Sequence, residues 1–198
     1  AFSAVSYTLT VDVTAVNDAP TSTDDSATIA EDTTTALALS DFGAYADAEG
    51  SAIAAVKITA LATDGGLEYF DGAAWIAVTL NQVITAADIG AGNVRFAPDA
   101  NESGAPYATI GFQVSDGAAF SAASYTLTVN VAAVNDAPTS TDDAVTINED
   151  TTTVLGLADF GAYADIEGTT IASVRITALA TDGGLEYFDG ATWVAVTL

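Results

Sequence analysis

Apolar and polar side chains alternate along several short segments of the chain, which is the pattern of half-buried β-strands. In residues 7–13 every second side chain is tyrosine, leucine or valine, with threonine or aspartate between them, and residues 125–131 repeat this pattern. Shorter runs of β-branched and aromatic residues predict additional strands at residues 56–60, 67–70, 75–78, 94–96 and 110–114.

Short turn signals separate these segments and leave little room for helix. Asp71-Gly72 lies between two predicted strands and is a favoured hairpin turn. One helical turn is predicted at residues 86–89, with Thr85 as its N-cap and Gly90 beyond its end. About seven short strands per ~100 residues, without long helices, predict an all-β fold of antiparallel β-sandwich domains.

The sequence repeats itself with a period of 118 residues. Residues 1–80 align with residues 119–198 without a gap, and 64 of the 80 pairs are identical. A propeller blade repeats every ~40–45 residues, so this period favours tandem sandwich domains instead. If the motif Val-Asn-Asp-Ala-Pro marks the joint, the chain comprises the last strand of a preceding repeat (1–18), a complete repeat (19–136) and the truncated N-terminal part of the next repeat (137–198).

The chain is expected to be a piece of something longer, because it starts at Ala1 rather than methionine and its last repeat lacks the counterpart of residues 81–116. A cut β-sandwich would expose its core and leave open strand edges. We therefore expect the last piece to belong to a larger polymer or to be completed by a neighbouring chain.

Composition excludes several classes of function. The chain has 27 acidic and three basic residues, a net charge of −24, and no cysteine or histidine. Three cations cannot neutralise a run of phosphates, which excludes nucleic acid as a partner, and an anionic membrane surface would repel the chain. No apolar run approaches the ~20 residues that cross a bilayer. Without cysteine and histidine the chain lacks thiolate nucleophiles, zinc–sulfur sites and the usual general base.

The acidic residues concentrate at turns and at the joint, and residues 19–136 alone hold 15 acids and two bases. Carboxylates without a basic partner must be solvated or bind a cation. Ca²⁺ takes 6–8 oxygen ligands and needs neither nitrogen nor sulfur. Alternate residues of a tight loop point to the same side, so Asp47 and Glu49 are candidates for a calcium clamp, with an ordinary acidic turn as the alternative.

Five motifs occur in a fixed order and carry a family resemblance. They are EDT at 31–33, DAEG at 47–50, FAPDANESG at 96–104, FQVSDG at 112–117 and, at the joint, VNDAP at 134–138. The joint resembles the calcium-binding linker between cadherin domains, and the ordered set resembles the cadherin-like extender repeats of giant secreted bacterial adhesins of the Bap type. This resemblance implies tandem sandwiches of the cadherin or immunoglobulin kind.

The resemblance also implies which residues would bind calcium at each joint. Acids from the end of one domain, from the linker and from the next domain would surround the ion. Glu49 stands where cadherins carry a second aspartate, and Asn101 stands where an acid is usual. The implied ligands are Glu31, Asp99, Asn101 or Glu102, Asn135, Asp136, Asp165 and Glu167 at the internal joint, and Asn17, Asp18, Asp47, Glu49 and Asp116 at the earlier joint.

The function that the resemblance implies is structural rather than enzymatic. The repeats would be calcium-stiffened spacers of a bacterial surface or secreted adhesin, acting outside the cell in adhesion and biofilm formation, with neighbouring repeats as partners. The alternative is a repeat subunit of a self-assembling extracellular filament or sheath of identical chains. Weaker alternatives are sugar binding by Tyr69, Trp75 or Tyr107, and catalysis by the carboxylate pair Glu68 and Asp71, as in glycosidases.

Overall fold

The structure of the chain, a computed structural model, describes residues 4–198. The chain divides into two compact units, unit 1 up to Val134 and unit 2 from Asn135 to Leu198. None of the described helices has the length and apolar character needed to cross a membrane.

Unit 1 is an all-β sandwich, which confirms the predicted fold class. Among its described residues, helix is limited to a 3₁₀ turn at Leu39–Phe42 and the short helix α1 at Ala86–Gly90. The strands described in unit 1 are β1 (Asp25–Ala30), β2 (Thr35–Ala36), β3 (Ala55–Ala60), β4 (Gly66–Phe70), β5 (Trp75–Ala77), β6 (Val83–Thr85), β7 (Val94–Ala97), β8 (Gly104–Ser115) and β9 (Tyr125–Ala132).

These strands form a five-stranded sheet in the order β1-β9-β8-β3-β6 and a four-stranded sheet in the order β2-β7-β4-β5. Strand β1 runs parallel to β9, with Asp25 opposite Leu127 and Ala30 opposite Ala132. The other strand pairs described in unit 1 are antiparallel. The first and last strands of the repeat therefore lie side by side, and β9 is an inner strand with a neighbour on each edge.

The core of unit 1 is built from the alternating apolar side chains of both sheets. Leu127, Val129 and Val131 of β9 are buried and alternate with more exposed polar residues, as the pleat of a strand requires. Phe112 of β8 packs edge-to-face on Phe42 of the 3₁₀ turn, with ring centroids 5.3 Å apart. This contact ties the long loop after β2 to the centre of the larger sheet.

Most strands predicted from alternation are present, with bounds that differ by a few residues. The N-cap of α1 is also confirmed, because the Thr85 hydroxyl accepts a hydrogen bond from the Asp88 amide at 3.0 Å. The helix ends at Gly90 rather than before it. The pattern does not predict β1, β2 and β6. Alanine and threonine make up half of β1 and all of β2, and β6 has only three residues.

The strand predicted at residues 7–13 is not formed in this structure. Residues 6–20 have no regular secondary structure, and the Leu9 side chain is 87% exposed. The physical reason is the lack of partners. The repeat counterpart of this segment is β9, which needs β1 on one edge and β8 on the other. No described strand pairs with residues 7–13.

Unit 2 retains fewer elements, and its apolar side chains are less well covered. Its counterparts of β4 and β5 form a hairpin of β10 (Glu186–Phe188) and β11 (Trp193–Ala195), and a 3₁₀ turn covers Leu157–Phe160. An open groove of about 860 Å³ is lined by apolar residues, including Val145. In unit 1 the equivalent core is closed by β7, β8 and β9, whose counterparts are not part of residues 135–198.

Candidate functional site

Five of the residues predicted to bind calcium lie together in unit 1. The Asn17 side-chain amide donates to Oδ2 of Asp116 at 2.9 Å, and the Asp18 amide donates to Oε2 of Glu49 at 3.1 Å. The Glu49 amide in turn donates to Oδ1 of Asp47 at 3.1 Å. We call these residues, Asn17, Asp18, Asp47, Glu49 and Asp116, the linker cluster.

Two tight turns position the carboxylates of the linker cluster. Oδ1 of Asp47 also accepts from the Ser51 amide at 2.8 Å, which folds the DAEG motif back on itself. Oδ1 of Asp116, directly after β8, accepts from the amides of Ala118 and Ala119 at 2.7 and 2.6 Å. The pKa of Asp116 is lowered below its ordinary value. The hydrogen bond from the Ala119 amide is the largest cause, and the hydrogen bond from the Asn17 side chain is the second. Asp116 is therefore held as an anion.

Two polar atoms beside this cluster are buried without a hydrogen-bond partner among the described residues, Oδ2 of Asp47 and the hydroxyl of Tyr45. Burial raises the pKa of Tyr45, and the charges of Asp47 and Asp116 raise it further. A buried carboxylate oxygen without a donor is unfavourable unless a cation satisfies it. The carboxylates of the linker cluster offer oxygen atoms, the type of ligand that hard divalent cations take.

Glu31 lies apart from the linker cluster, where the last strand passes into the next linker. Its side chain is only 2% exposed, and Oε1 accepts from the Val134 amide at 2.6 Å. Its backbone amide donates to the Ala132 carbonyl at 3.0 Å. Glu31 therefore extends the β1–β9 pairing by one step and fixes the start of the linker.

A second acidic group forms in the loops after β7 and before β4. Carboxylate oxygens of Asp64, Asp99 and Glu102 lie within 4.8 Å of one another, and we call these three residues the loop cluster. The Tyr107 hydroxyl donates to Oε2 of Glu102 at 3.2 Å and accepts from the Asp99 amide at 3.0 Å. The backbone amide of Asn101, in the same loop, donates to Oδ1 of Asp32 at 3.0 Å.

The sequence patterns do not identify Asp64 as a member of this group. Asp64 lies in the turn before β4, where its Oδ1 accepts from the Gly65 amide at 3.0 Å. Its proximity to Asp99 follows from the pairing of β4 with β7, in which Gly66 lies opposite Ala97. That pairing joins strands distant in sequence, so no local pattern signals it. Glu31, which the resemblance groups with Asp99, is not a member of the loop cluster.

Unit 2 repeats the local geometry of the linker cluster. The Asp136 amide donates to Oε1 of Glu167 at 3.3 Å, as Asp18 does to Glu49 in unit 1. The Asn135 side chain donates to the Asp136 carbonyl at 2.8 Å. Oδ1 of Asp165 accepts from the Thr169 amide at 2.9 Å, and this bond is the main cause of its lowered pKa. The arrangement is therefore a property of the repeat.

The two basic residues of the complete repeat are engaged elsewhere. Arg95 forms an ion pair with Glu68, with Nε and Oε2 2.6 Å apart, and its guanidinium lies 4.0 Å from the ring centroid of Trp75. Lys57 lies over the Phe120 ring at 4.5 Å. Glu68 is therefore paired with a cation, which does not favour catalysis by Glu68 and Asp71. The ring of Trp75 is covered by the same cation, which does not favour sugar binding on that ring.

A family model for the bacterial Ig domain matches residues 17–131, which is more than half of the chain. The chain belongs to the bacterial Ig domain family. Bacterial Ig domains usually occur in surface proteins and their sandwich fold is typically non-enzymatic, so the match suggests a repeat of a surface protein. Neither a curated protein nor a solved structure matches this bacterial Ig domain chain.

The lowered pKa of Asp116 predicts a pH-dependent contribution to the stability of the bacterial Ig domain. A carboxyl group with a lowered pKa in the folded state stabilises the fold above its unfolded pKa, about 3.9, and loses this effect as pH falls through the folded value. Asp116→Asn is therefore expected to be less stable than the parent chain at pH 7, with a difference that disappears at the most acidic pH. Urea denaturation between pH 7 and 2.5, in the presence of EDTA, measures this difference.

Asp12→Asn is the matched control, because Asp12 lies in the exposed segment before the domain. It should differ little from the parent chain at every pH. A stability difference for Asp116→Asn that stays constant down to the lowest pH would contradict the assignment of the stabilising charge to this residue.

Proposed function

We propose that this chain is a run of spacer repeats from a large bacterial surface or secreted adhesin, in which Ca²⁺ bound at the ends of each repeat stiffens the array. Its role would be to hold an adhesive region away from the cell and to support biofilm formation. The observation that carries the proposal is the buried Oδ2 of Asp47, which has no hydrogen-bond partner among the described residues and, like Asp116, lies near the Tyr45 hydroxyl.

The chemistry of the donors favours calcium among the common biological cations. Asp47, Glu49 and Asp116 would hold the ion, with carbonyl and amide oxygens and water completing its shell. Ca²⁺ accepts irregular sets of 6–8 oxygens, whereas Mg²⁺ requires a near-ideal octahedron. Affinity is expected in the range of extracellular modules, ~10⁻⁴–10⁻³ M. When bound, the ion supplies positive charge that offsets the repulsion between the carboxylates.

Acidic groups stand at both ends of the repeat. Asp116 follows the last residue of β8, and Glu102 lies two residues before its first. A strand of this length spans ~35 Å, so the linker cluster and the loop cluster mark opposite ends of the sandwich. With 15 acids and two bases in residues 19–136, repulsion at these ends is strong in the absence of a cation.

The linker cluster also explains how binding would stiffen the array. The incoming linker residues Asn17 and Asp18 are already hydrogen-bonded to Asp116 and Glu49. A cation that holds both carboxylates would fix these contacts and with them the direction of the preceding chain. Binding to the folded state alone then raises its stability by linkage.

Calcium is expected to stabilise unit 1 and to reduce the flexibility of the chain. With Ca²⁺ ~10–100-fold above its Kd, the free energy of unfolding should rise by about 1.4–2.7 kcal/mol relative to the chain in EDTA. Thermal denaturation measures the stability, and small-angle scattering over the same titration measures the distribution of chain dimensions.

The double variant Asp47→Asn/Asp116→Asn should lose most of the calcium-dependent gain. Asp71→Asn is the matched control, because Asp71 also accepts two amide hydrogen bonds in an Asp-Gly turn but lies in the β4–β5 hairpin. Equal stabilisation of both variants by Ca²⁺ would refute binding at the linker cluster. Unchanged chain dimensions across the titration would refute the stiffening role.

A further inference from the structure

The residues Asn101-Glu102-Ser103 have the pattern Asn-x-Ser/Thr, in which the asparagine side chain can accept an N-linked sugar. The sequence contains seven asparagines, and Asn101 is the one that begins this pattern. In a chain rich in threonine and serine the pattern arises easily by chance, so it is a weak signal by itself. The exposure of the side chain and the hydrogen bonds of its amide decide whether it is available for reaction.

Asn101 lies in the loop between β7 and β8, and backbone hydrogen bonds hold this loop in place. The Asn101 backbone amide donates to Oδ1 of Asp32 at 3.0 Å, and the Glu102 amide donates to the Asp99 carbonyl at 3.3 Å. The Tyr107 hydroxyl accepts from the Asp99 amide at 3.0 Å and donates to Oε2 of Glu102 at 3.2 Å. The Asn101 side chain takes part in none of these bonds, so the loop stays ordered while that side chain is left over.

The two side chains that define the pattern are accessible. Asn101 and Ser103 are exposed, and their side chains make no hydrogen bond to any other residue that the structure describes. Asn101 also has a φ of 59°, the left-handed conformation that asparagine adopts more readily than most residues. This backbone preference explains an asparagine at position 101, but it does not explain a free serine hydroxyl two positions later.

We infer that Asn101 is an acceptor for N-linked glycosylation. Its Nδ2 would attack the anomeric carbon of a sugar activated as a glycosyl diphosphate. The bond from that carbon to the diphosphate oxygen breaks, its electron pair leaves with the diphosphate, and the amide proton passes to a base of the transferase. Two donors carry this leaving group, a nucleotide sugar and an oligosaccharide linked to a polyprenyl diphosphate. The carboxylates of Asp99 and Glu102, in the same loop, are unchanged by the reaction.

The inference is tested on the folded 198-residue chain in two parallel reactions. One contains an oligosaccharyltransferase and a polyprenyl-diphosphate oligosaccharide, and the other contains a soluble asparagine glycosyltransferase and a nucleotide sugar. Intact mass spectrometry should show the gain of a single glycan in at least one reaction, which identifies the donor class, and peptide mapping should place it on Asn101. No gain in either reaction would overturn the inference, as would a gain on a proteolytic digest of the chain but not on the folded chain.

Substitutions at Ser103 separate the pattern from the exposure of the loop. Ser103→Ala removes the hydroxyl and should lose the glycan, whereas Ser103→Thr keeps the hydroxyl and should retain it. Because the Ser103 side chain is exposed and makes no hydrogen bond to the described residues, both variants should unfold at the temperature of the parent chain. Equal modification of the two variants would overturn the inference.

Asn81 is an internal control for accessibility. It is also exposed and has a φ of 64°, but Val83 occupies the position of the required hydroxyl residue. The peptide that contains Asn81 should therefore remain unmodified, and a glycan on it would show that exposure alone directs the reaction. Neither Asn81 nor Asn101 belongs to the linker cluster, so the result does not depend on the proposed calcium binding.

Discussion

Phe112→Ala is expected to lower the free energy of unfolding of unit 1 by about 3–5 kcal/mol. Phe112 is fully buried in β8, and its ring contacts Phe42 at 5.3 Å and Tyr125 at 5.8 Å between centroids. Removing the ring leaves a cavity between the 3₁₀ turn, β8 and β9 that a rigid sheet cannot collapse to fill. The cost combines lost burial with this residual cavity.

Urea denaturation followed by tryptophan fluorescence would measure this loss, since Trp75 lies in unit 1. Ile76→Ala is the control, because Ile76 is exposed on β5, the edge strand of the smaller sheet, and this variant should lose much less stability. A loss of less than about 1 kcal/mol for Phe112→Ala would show that the core is not packed around this ring.

Glu31→Ala is expected to have the second largest effect, about 1.5–3 kcal/mol of destabilisation. The buried carboxylate accepts a short hydrogen bond from the Val134 amide, and a charged acceptor strengthens such a bond. Deleting it leaves that amide without its acceptor where the chain leaves β9. Glu31→Gln keeps an acceptor oxygen at the same distance, so it should lose less.

The repeat provides an internal control for this prediction. Glu149 is the counterpart of Glu31 in unit 2, where it is exposed. Glu149→Ala should therefore leave the stability of the chain nearly unchanged. Thermal denaturation of the three variants in EDTA compares them, and equal destabilisation by Glu31→Ala and Glu149→Ala would contradict a specific role for the buried carboxylate.

The fold class could be predicted from the sequence because the strands of the larger sheet carry strong alternation. The seven-residue pattern of β9 and the Asp71-Gly72 hairpin turn are local signals, and the structure confirms both. The parallel pairing of β1 with β9 could not be predicted. Strand β1 is short, contains a single large apolar residue, Ile29, and pairs with residues about a hundred positions away.

For the candidate site too, the sequence predicted the local turns but not the contacts between residues distant in sequence. The acidic turns at Asp47 and Asp116 have local sequence signals, and both form as turns with their side chains capping backbone amides. The burial of Glu31 and the recruitment of Asp64 have no such signal, because each depends on which strands become neighbours. Local sequence signals therefore predicted the acidic turns, whereas tertiary pairing determined which acidic residues lie together.

The parallel pair of β1 and β9 has a mechanical consequence for a repeat in a long chain. The polypeptide enters through the start of β1 and leaves through the end of β9, and these strands point the same way. Tension along the chain therefore pulls the two strands in opposite directions along their length. All six paired positions are loaded in shear at once, together with the Asp24 carboxylate on the Thr126 amide and the Glu31 carboxylate on the Val134 amide. The repeat cannot be unzipped one hydrogen bond at a time from its ends.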